Sequence, residues 1–240
     1  MRWRRLSDGG GVAFLLVCLA ATSWCSAGIV VTARESSLAA SGQTSADQFE
    51  LSDTSTEFGF YDQTIGQSLP GAGGGTTSAS ASQRSNVTST ALPTEARGTA
   101  AAQVAELDAI AAQASTSLDI SFDVIGQPET LTIQGHVQGT FDGAARVTLE
   151  NGSGTVFERR IEIGDEGQID FSESLTLEPG SYTIFAETHV TGTQSPNSAE
   201  FEFAISQGPP ALIPLPPPLL GGAAMLLLAA WPLRRLVGRR

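Results

Sequence analysis

Few residues in this chain are of a type that performs chemistry, and their spacing decides which chemistry is open to them. His136 and His189 are the only histidines, and each alternates with the apolar residues of its own segment, "LTIQGHV" and "YTIFAETHV". Both are therefore expected on solvent-facing sides of strands. Cys18 and Cys25 both fall within the first 27 residues, so the rest of the chain has no thiol or disulfide chemistry. A tight zinc site draws on several nitrogen or sulfur ligands, and this set is too small to supply them. Glu200 and Glu202 share one strand face, as do Asp119 and Asp123. Paired carboxylates equip glycosidases, and they are equally what a solvated strand face carries. Asp165, Glu166 and Asp170 in "GDEGQID" offer oxygen ligands for calcium but without an established loop pattern. "GAGGG" at 71–75 lacks the lysine and hydroxyl residue of a phosphate loop. "NGSG" at 151–154 is a hairpin turn rather than a nucleophile elbow. No catalytic residue, metal ligand or cofactor is assigned, and the chain is expected not to be an enzyme.

The elements that would position such residues are strands. In "LDISFDV", Leu118, Ile120, Phe122 and Val124 alternate with Asp119, Ser121 and Asp123. "LTIQGHV" repeats the pattern through Leu131, Ile133 and Val137, and "ARVTLE" through Ala145, Val147 and Leu149. After the turn at 151–154, "TVFERRIEI" returns with Phe157, Ile161 and Ile163, and "GQIDFSESLTL" aligns Ile169, Phe171, Leu175 and Leu177. "YTIFAETHV" and "AEFEFAI" complete seven strands between 118 and 206. Period-two patterning at this spacing predicts an all-β fold, an antiparallel β-sandwich or jelly roll. Residues 28–117 are less regular. "GIVVTA", "DQFELSD" and "EFGFYDQTI" read as strands, and "TTSASASQRSNVTSTAL" alternates small and polar residues. "AAAQVAELDAIAAQ" fits both helical spacing and alternation. Strands agree better with the flanks, so one sandwich over 28–206 is expected.

Charge narrows the partners. All 13 basic residues are arginine. The segment between the two ends holds six of them against 24 carboxylates, a net of −18 (6 minus 24). Such a surface repels nucleic acid. Binding of a polysaccharide, with weak calcium binding, is the alternative reading of the sandwich. Its support is thin, since Tyr61 and Tyr182 are the only tyrosines and Trp3, Trp24 and Trp231 all lie in the ends.

Those ends carry the remaining signals. Arg2, Arg4 and Arg5 precede the apolar stretch 12–21, and Cys25-Ser26-Ala27 places small residues at −3 and −1. This is a secretory signal peptide over 1–27, cleaved between Ala27 and Gly28. Ten apolar residues are too few to span a bilayer. "LSDGGG" after Arg4-Arg5 lacks the apolar pair usual in a twin-arginine signal, so the expected partner is the general secretion machinery. At the other end, 211–233 is uncharged. Its dense part holds Leu219, Leu220, Met225, Leu226, Leu227, Leu228, Trp231 and Leu233. A helix continued to Val237 would be roughly 28 Å long, close to the hydrocarbon thickness of a membrane. Arg234, Arg235, Arg239 and Arg240 then form a cytoplasmic stop. Ile213, Pro214, Leu215 and Pro216 lie just outside the span, where proline holds an extended, stiff strand suited to an enzyme cleft.

This three-part tail over 207–240 resembles the PEP-CTERM family of sorted bacterial surface proteins. Leu215 stands where the usual Val-Pro-Glu-Pro motif has glutamate, as in a Val-Pro-Leu-Pro variant. The resemblance covers roughly the last 30 residues. It implies handling by an exosortase and association with exopolysaccharide. The chain would then be exported, held in the inner membrane as a precursor, and delivered to the cell surface or extracellular matrix.

Overall fold

The computed structural model describes residues 28–208 apart from 72–73, 93–94, 105–108 and 193–195. The signal peptide, the Pro-x-Pro motif, the apolar span and the terminal arginines lie outside the described residues. Among the described residues, no helix is long and apolar enough to cross a membrane.

Twelve strands follow one another: β1 (Gly28–Thr44), β2 (Gln48–Ser55), β3 (Gly59–Pro70), β4 (Thr76–Val87), β5 (Ala96–Gln103) and β6 (Ala109–Ile125), then β7 (Glu129–Gly139), β8 (Gly143–Asn151), β9 (Gly154–Ile161), β10 (Gly167–Leu177), β11 (Gly180–Thr191) and β12 (Asn197–Gln207). They form two six-stranded antiparallel sheets. The first has the order β2-β1-β6-β11-β8-β9 and the second β10-β7-β12-β5-β4-β3. Across the interior, β2, β1, β6, β11, β8 and β9 meet β3, β4, β5, β12, β7 and β10 in turn. Strands β5 to β12 alone give two four-stranded sheets, β5-β12-β7-β10 and β6-β11-β8-β9. That is the nested connectivity of a jelly roll. Strands β1 to β4 widen both sheets on the same side.

The alternation read from sequence accounts for the core. Phe122, Phe201, Phe203, Leu118, Ile120 and Ile184 are fully enclosed between the sheets. The ambiguous alanine-rich segment is strand on both sides of its undescribed middle, with Ala100, Ala102, Ala112 and Ala114 buried. An edge strand lacks a second neighbour to cover its side chains. Ile163 and Ile169, expected on inward faces, lie open: Ile163 falls beyond the end of β9, and Ile169 lies near the start of the edge strand β10. Ile163 is 56% exposed in the turn after β9 ends at Ile161, and Ile169 is 40% exposed near the start of β10. At the β8–β9 turn, Gly154 has φ +130, a backbone conformation that glycine tolerates and other residues rarely adopt.

Small core residues in β4 to β6 leave room for a polar network. A register shift between Val31 and Ala33 reverses the facing of β1. Arg34, Ser36 and Leu38 thereby turn inward. The Arg34 guanidinium donates to the Glu57 carbonyl at 2.6 Å and to the Ser36 and Ser85 hydroxyls, both at 3.0 Å. It also lies 5.2 Å from the centre of the Tyr61 ring. Tyr61 in turn donates to Asp53 at 2.8 Å. Gln83 donates to Ser36 and accepts from Thr116. Burial pulls the Arg34 guanidinium below its ordinary range, and Tyr61 opposes that shift. Burial, and then the bond to Asp53, push the Tyr61 phenol above its own. The network fastens the β2–β3 connection to β1 and β4 and gives the terminal guanidinium nitrogens of Arg34 partners, while its Nε is buried without one.

Candidate functional site

Alternation along β1, β6, β11 and β8 puts a second, polar set of residues on the outer face of the first sheet. Strand pairing arranges them in rows. Glu35, Asp119, Phe185, Thr148 and Glu158 are successive cross-strand neighbours. The next row runs Thr54, Ser37, Ser117, Glu187, Arg146 and Arg160, and the one after it Ser52, Ala39, Ser115, His189 and Ala144. Short side chains in the β1–β6 half leave a floor between longer polar ones.

Among the described residues, several clefts open on this face. One of about 470 Å³ is lined by Ser41, Gln43, Gln48, Glu50 and Gln113. Its neighbour shares Ser41, Glu50 and Gln113 and reaches His189. A third, of about 400 Å³, continues from His189 past Ala144, Arg146, Arg160 and Ile163. The fourth, of about 370 Å³, lies towards the other end of the strands, between Ser121, Asp123, Glu150, Asn151 and Ser181. From Gln113 to Asp123 the face extends about 33 Å at the ordinary rise of a strand.

Acidic groups cluster at one end of the face, where Glu35, Asp119, Asp123 and Glu150 lie. Glu35, Asp119 and Glu150 make no ion pair among the described residues. Asp123 accepts a hydrogen bond from Ser181 at 2.7 Å. Partial burial, then the charges of Glu35 and Glu150, hold the Asp119 carboxyl above its ordinary range. Ionised Asp119 therefore opposes folding. Its favourable contribution is complete below the unfolded pKa, about 3.9, and is lost as pH rises through the raised folded value. The Asp119→Asn chain should accordingly melt at a higher temperature than the parent at pH 7. The gap should close as pH falls below about 4. Thermal melts followed by circular dichroism across that interval check this, and equal melting temperatures at pH 7 would contradict it.

Phe185 is the aromatic residue of the face, and Arg146 covers it with its guanidinium 5.1 Å from the ring centre. Arg146 also pairs with Glu187 at 2.7 Å. The stacking surface open to a ligand is thus small.

The outer face of the second sheet differs. Asp170, His136, Glu202, Arg97, Arg84 and Asp62 form one row across all six strands. Arg97 lies 3.0 Å from Glu200 and 3.9 Å from Glu202, and His136 is 3.4 Å from Glu200. The two histidines do point away from the apolar sets of their strands. His136, however, is half-buried rather than free. Glu200 and Glu202 share a face as expected, and so do Asp119 and Asp123. Of the three candidate calcium ligands, Asp165 and Glu166 sit in the exposed β9–β10 turn while Asp170 belongs to the row beside His136. Gly28 opens β1.

No protein-family model and no curated protein matches the chain. Among solved structures it is similar to TmCBM61 in complex with β-1,4-galactotriose, at 14% identity and a TM-score of 0.27 over 46% of this chain and 82% of that one. It is also similar to the enzymatically active domain of bacteriophage CBA120 tailspike protein 4, at 10% identity and a TM-score of 0.26 over 62% of this chain and 19% of that one. The infectious bursal disease virus Gx strain structure matches at 10% identity and a TM-score of 0.23, over 81% and 60%. At these scores the likeness carries no argument about what this chain binds.

Proposed function

We propose that this is an exported bacterial surface or extracellular-matrix protein whose sandwich binds an extended, neutral polysaccharide along the outer face of the first sheet. The observation that carries the reading is the run of clefts on that one face, lined by hydroxyl, amide and carboxylate groups and, in the third, by Arg146, Arg160, Glu187 and His189. Sugar hydroxyls donate to carboxylates and exchange bonds with Ser, Thr, Asn and Gln. A long, mostly non-aromatic track favours many weak contacts with a polymer over tight capture of a small molecule. The unpaired carboxylates disfavour uronate-rich or sulfated chains by like-charge repulsion. The reading is non-enzymatic, and no new reducing ends are expected from a bound polymer.

Co-sedimentation with neutral and uronate-containing polysaccharides tests it. The Asp123→Ala, Glu150→Ala double variant removes two charged acceptors at one end of the track. Hydrogen bonds to charged groups contribute roughly 1.5–3 kcal/mol each, so loss of two should weaken binding of the neutral polymer about a hundredfold or more. Asp170→Ala, on the other sheet, should bind as the parent does. Preference for the uronate polymer, or equal loss in both variants, would sink the reading.

For the tail we propose processing at the Pro-x-Pro segment Ile213-Pro214-Leu215-Pro216 by an exosortase-like enzyme, after a transient stay in the inner membrane. The supporting features are the prolines, the uncharged run and the four closing arginines, all read from the sequence.

A further inference from the structure

The cluster on the outer face of the second sheet has no part in the polysaccharide reading. We propose that His136, Glu200 and Glu202 form a weak site for a borderline divalent cation of the zinc class, with Arg97 as its built-in competitor. Strand β7 supplies the imidazole and β12 both carboxylates. His136 is directly opposite Glu202, and Glu200 is two residues further along the same face. One donor atom from each lies within 4.8 Å of the other two. Zinc bonds of about 2.0–2.2 Å to nitrogen and oxygen, in tetrahedral geometry, set donor atoms about 3.4 Å apart. The separation of His136 Nε2 from Glu200 Oε1 is 3.4 Å. Asp170 of β10 is the cross-strand neighbour of His136 on its other side.

An imidazole donor separates this site from a calcium site, since calcium takes oxygen ligands. Nitrogen and carboxylate donors suit zinc and its neighbours. Arg97 now neutralises the carboxylates. Its Nε lies 3.0 Å from Glu200 Oε1, and its Nη2 donates to Glu200 Oε2 at 3.1 Å. Nε also reaches to 3.9 Å from Glu202. The guanidinium thus holds both carboxylates together and must swing aside before a metal ion can be bound. Arg97 is half exposed and free to do so. Three protein ligands with a competing cation give modest affinity, so the site is compatible with a chain that lacks a tight transition-metal site.

Calorimetric titration of the purified full chain with zinc chloride tests the proposal. One ion should bind per chain, with Kd above about 1 µM. His136→Ala should weaken binding at least tenfold, Glu200→Gln should weaken it, and Arg97→Ala should tighten it several-fold. His189→Ala, on the other sheet, should leave binding unchanged. Circular dichroism of each variant confirms that the fold is kept. Absence of zinc binding by the parent chain, or equal binding in the parent and His136→Ala chains, would overturn the proposal. Weaker binding by Arg97→Ala would overturn the competition between arginine and metal.

Discussion

A chain carrying Gly135→Ala is expected to lose about 3 kcal/mol or more of folding stability, at or beyond the upper end of the usual cost of overpacking. Gly135 sits in β7 between Phe171 of β10 and Phe203 of β12 in the strand registers. A methyl group there would run into the Glu202 carbonyl oxygen and come within 2.7 Å of the Phe203 Cα. Both obstacles are backbone, which cannot rotate away as a side chain would. Relief requires β7 and β12 to separate, and both are interior strands of the second sheet. Ladder bonds and the packing of fully buried Phe203 would suffer together. A Gly152→Ala chain serves as the control, because a methyl group at that turn meets nothing within 4 Å. Urea melts of the two variants should differ by the whole effect. Equal midpoints would show that the close approach of β7 and β12 is wrong.

The second large effect concerns the tail. On the processing proposed for the tail, replacing Pro214 and Pro216 by alanine should take away the stiffness that proline gives to a segment bound in a cleft. It leaves the apolar span and the arginines intact. In the native host the uncut precursor should accumulate in the inner membrane, about 3 kDa larger than the processed form at ordinary residue mass. Deleting 219–233 should act differently and release unprocessed soluble protein. Unchanged size and location of the double-alanine chain would mean that the prolines are a spacer.

Much of the fold is legible in the sequence because period-two alternation reports burial directly. Leu118, Ile120, Phe122 and Val124 are inward as read, and so are Phe201, Phe203 and Ile205. The alanine-rich strands are legible only through their flanks, since alanine suits either element and the pattern is weak. Two things escape. The first is β1, where one extra residue between Val31 and Ala33 reverses the pattern. Arg34 is then buried and Glu35 exposed, although parity from Ile29 and Val31 would put Glu35 inside. The second is any cluster built across strands. His136 and Glu202 are distant in sequence and become neighbours only through the β7–β12 register. The clefts on the first sheet escape for the same reason. Each polar residue lining them reads alone as an ordinary solvated side chain, and only the order β2-β1-β6-β11-β8-β9 assembles them.

A binding footprint reads that assembly directly. Amide chemical shifts of the sandwich should be followed by NMR while a neutral oligosaccharide is added. Polysaccharide binding along the first sheet predicts changes concentrated at outward residues of β1, β6 and β11, among them Ser37, Gln113, Ser117 and Asp123. Changes confined to β7, β12 and β5 on the second sheet, or none at millimolar oligosaccharide, would contradict it.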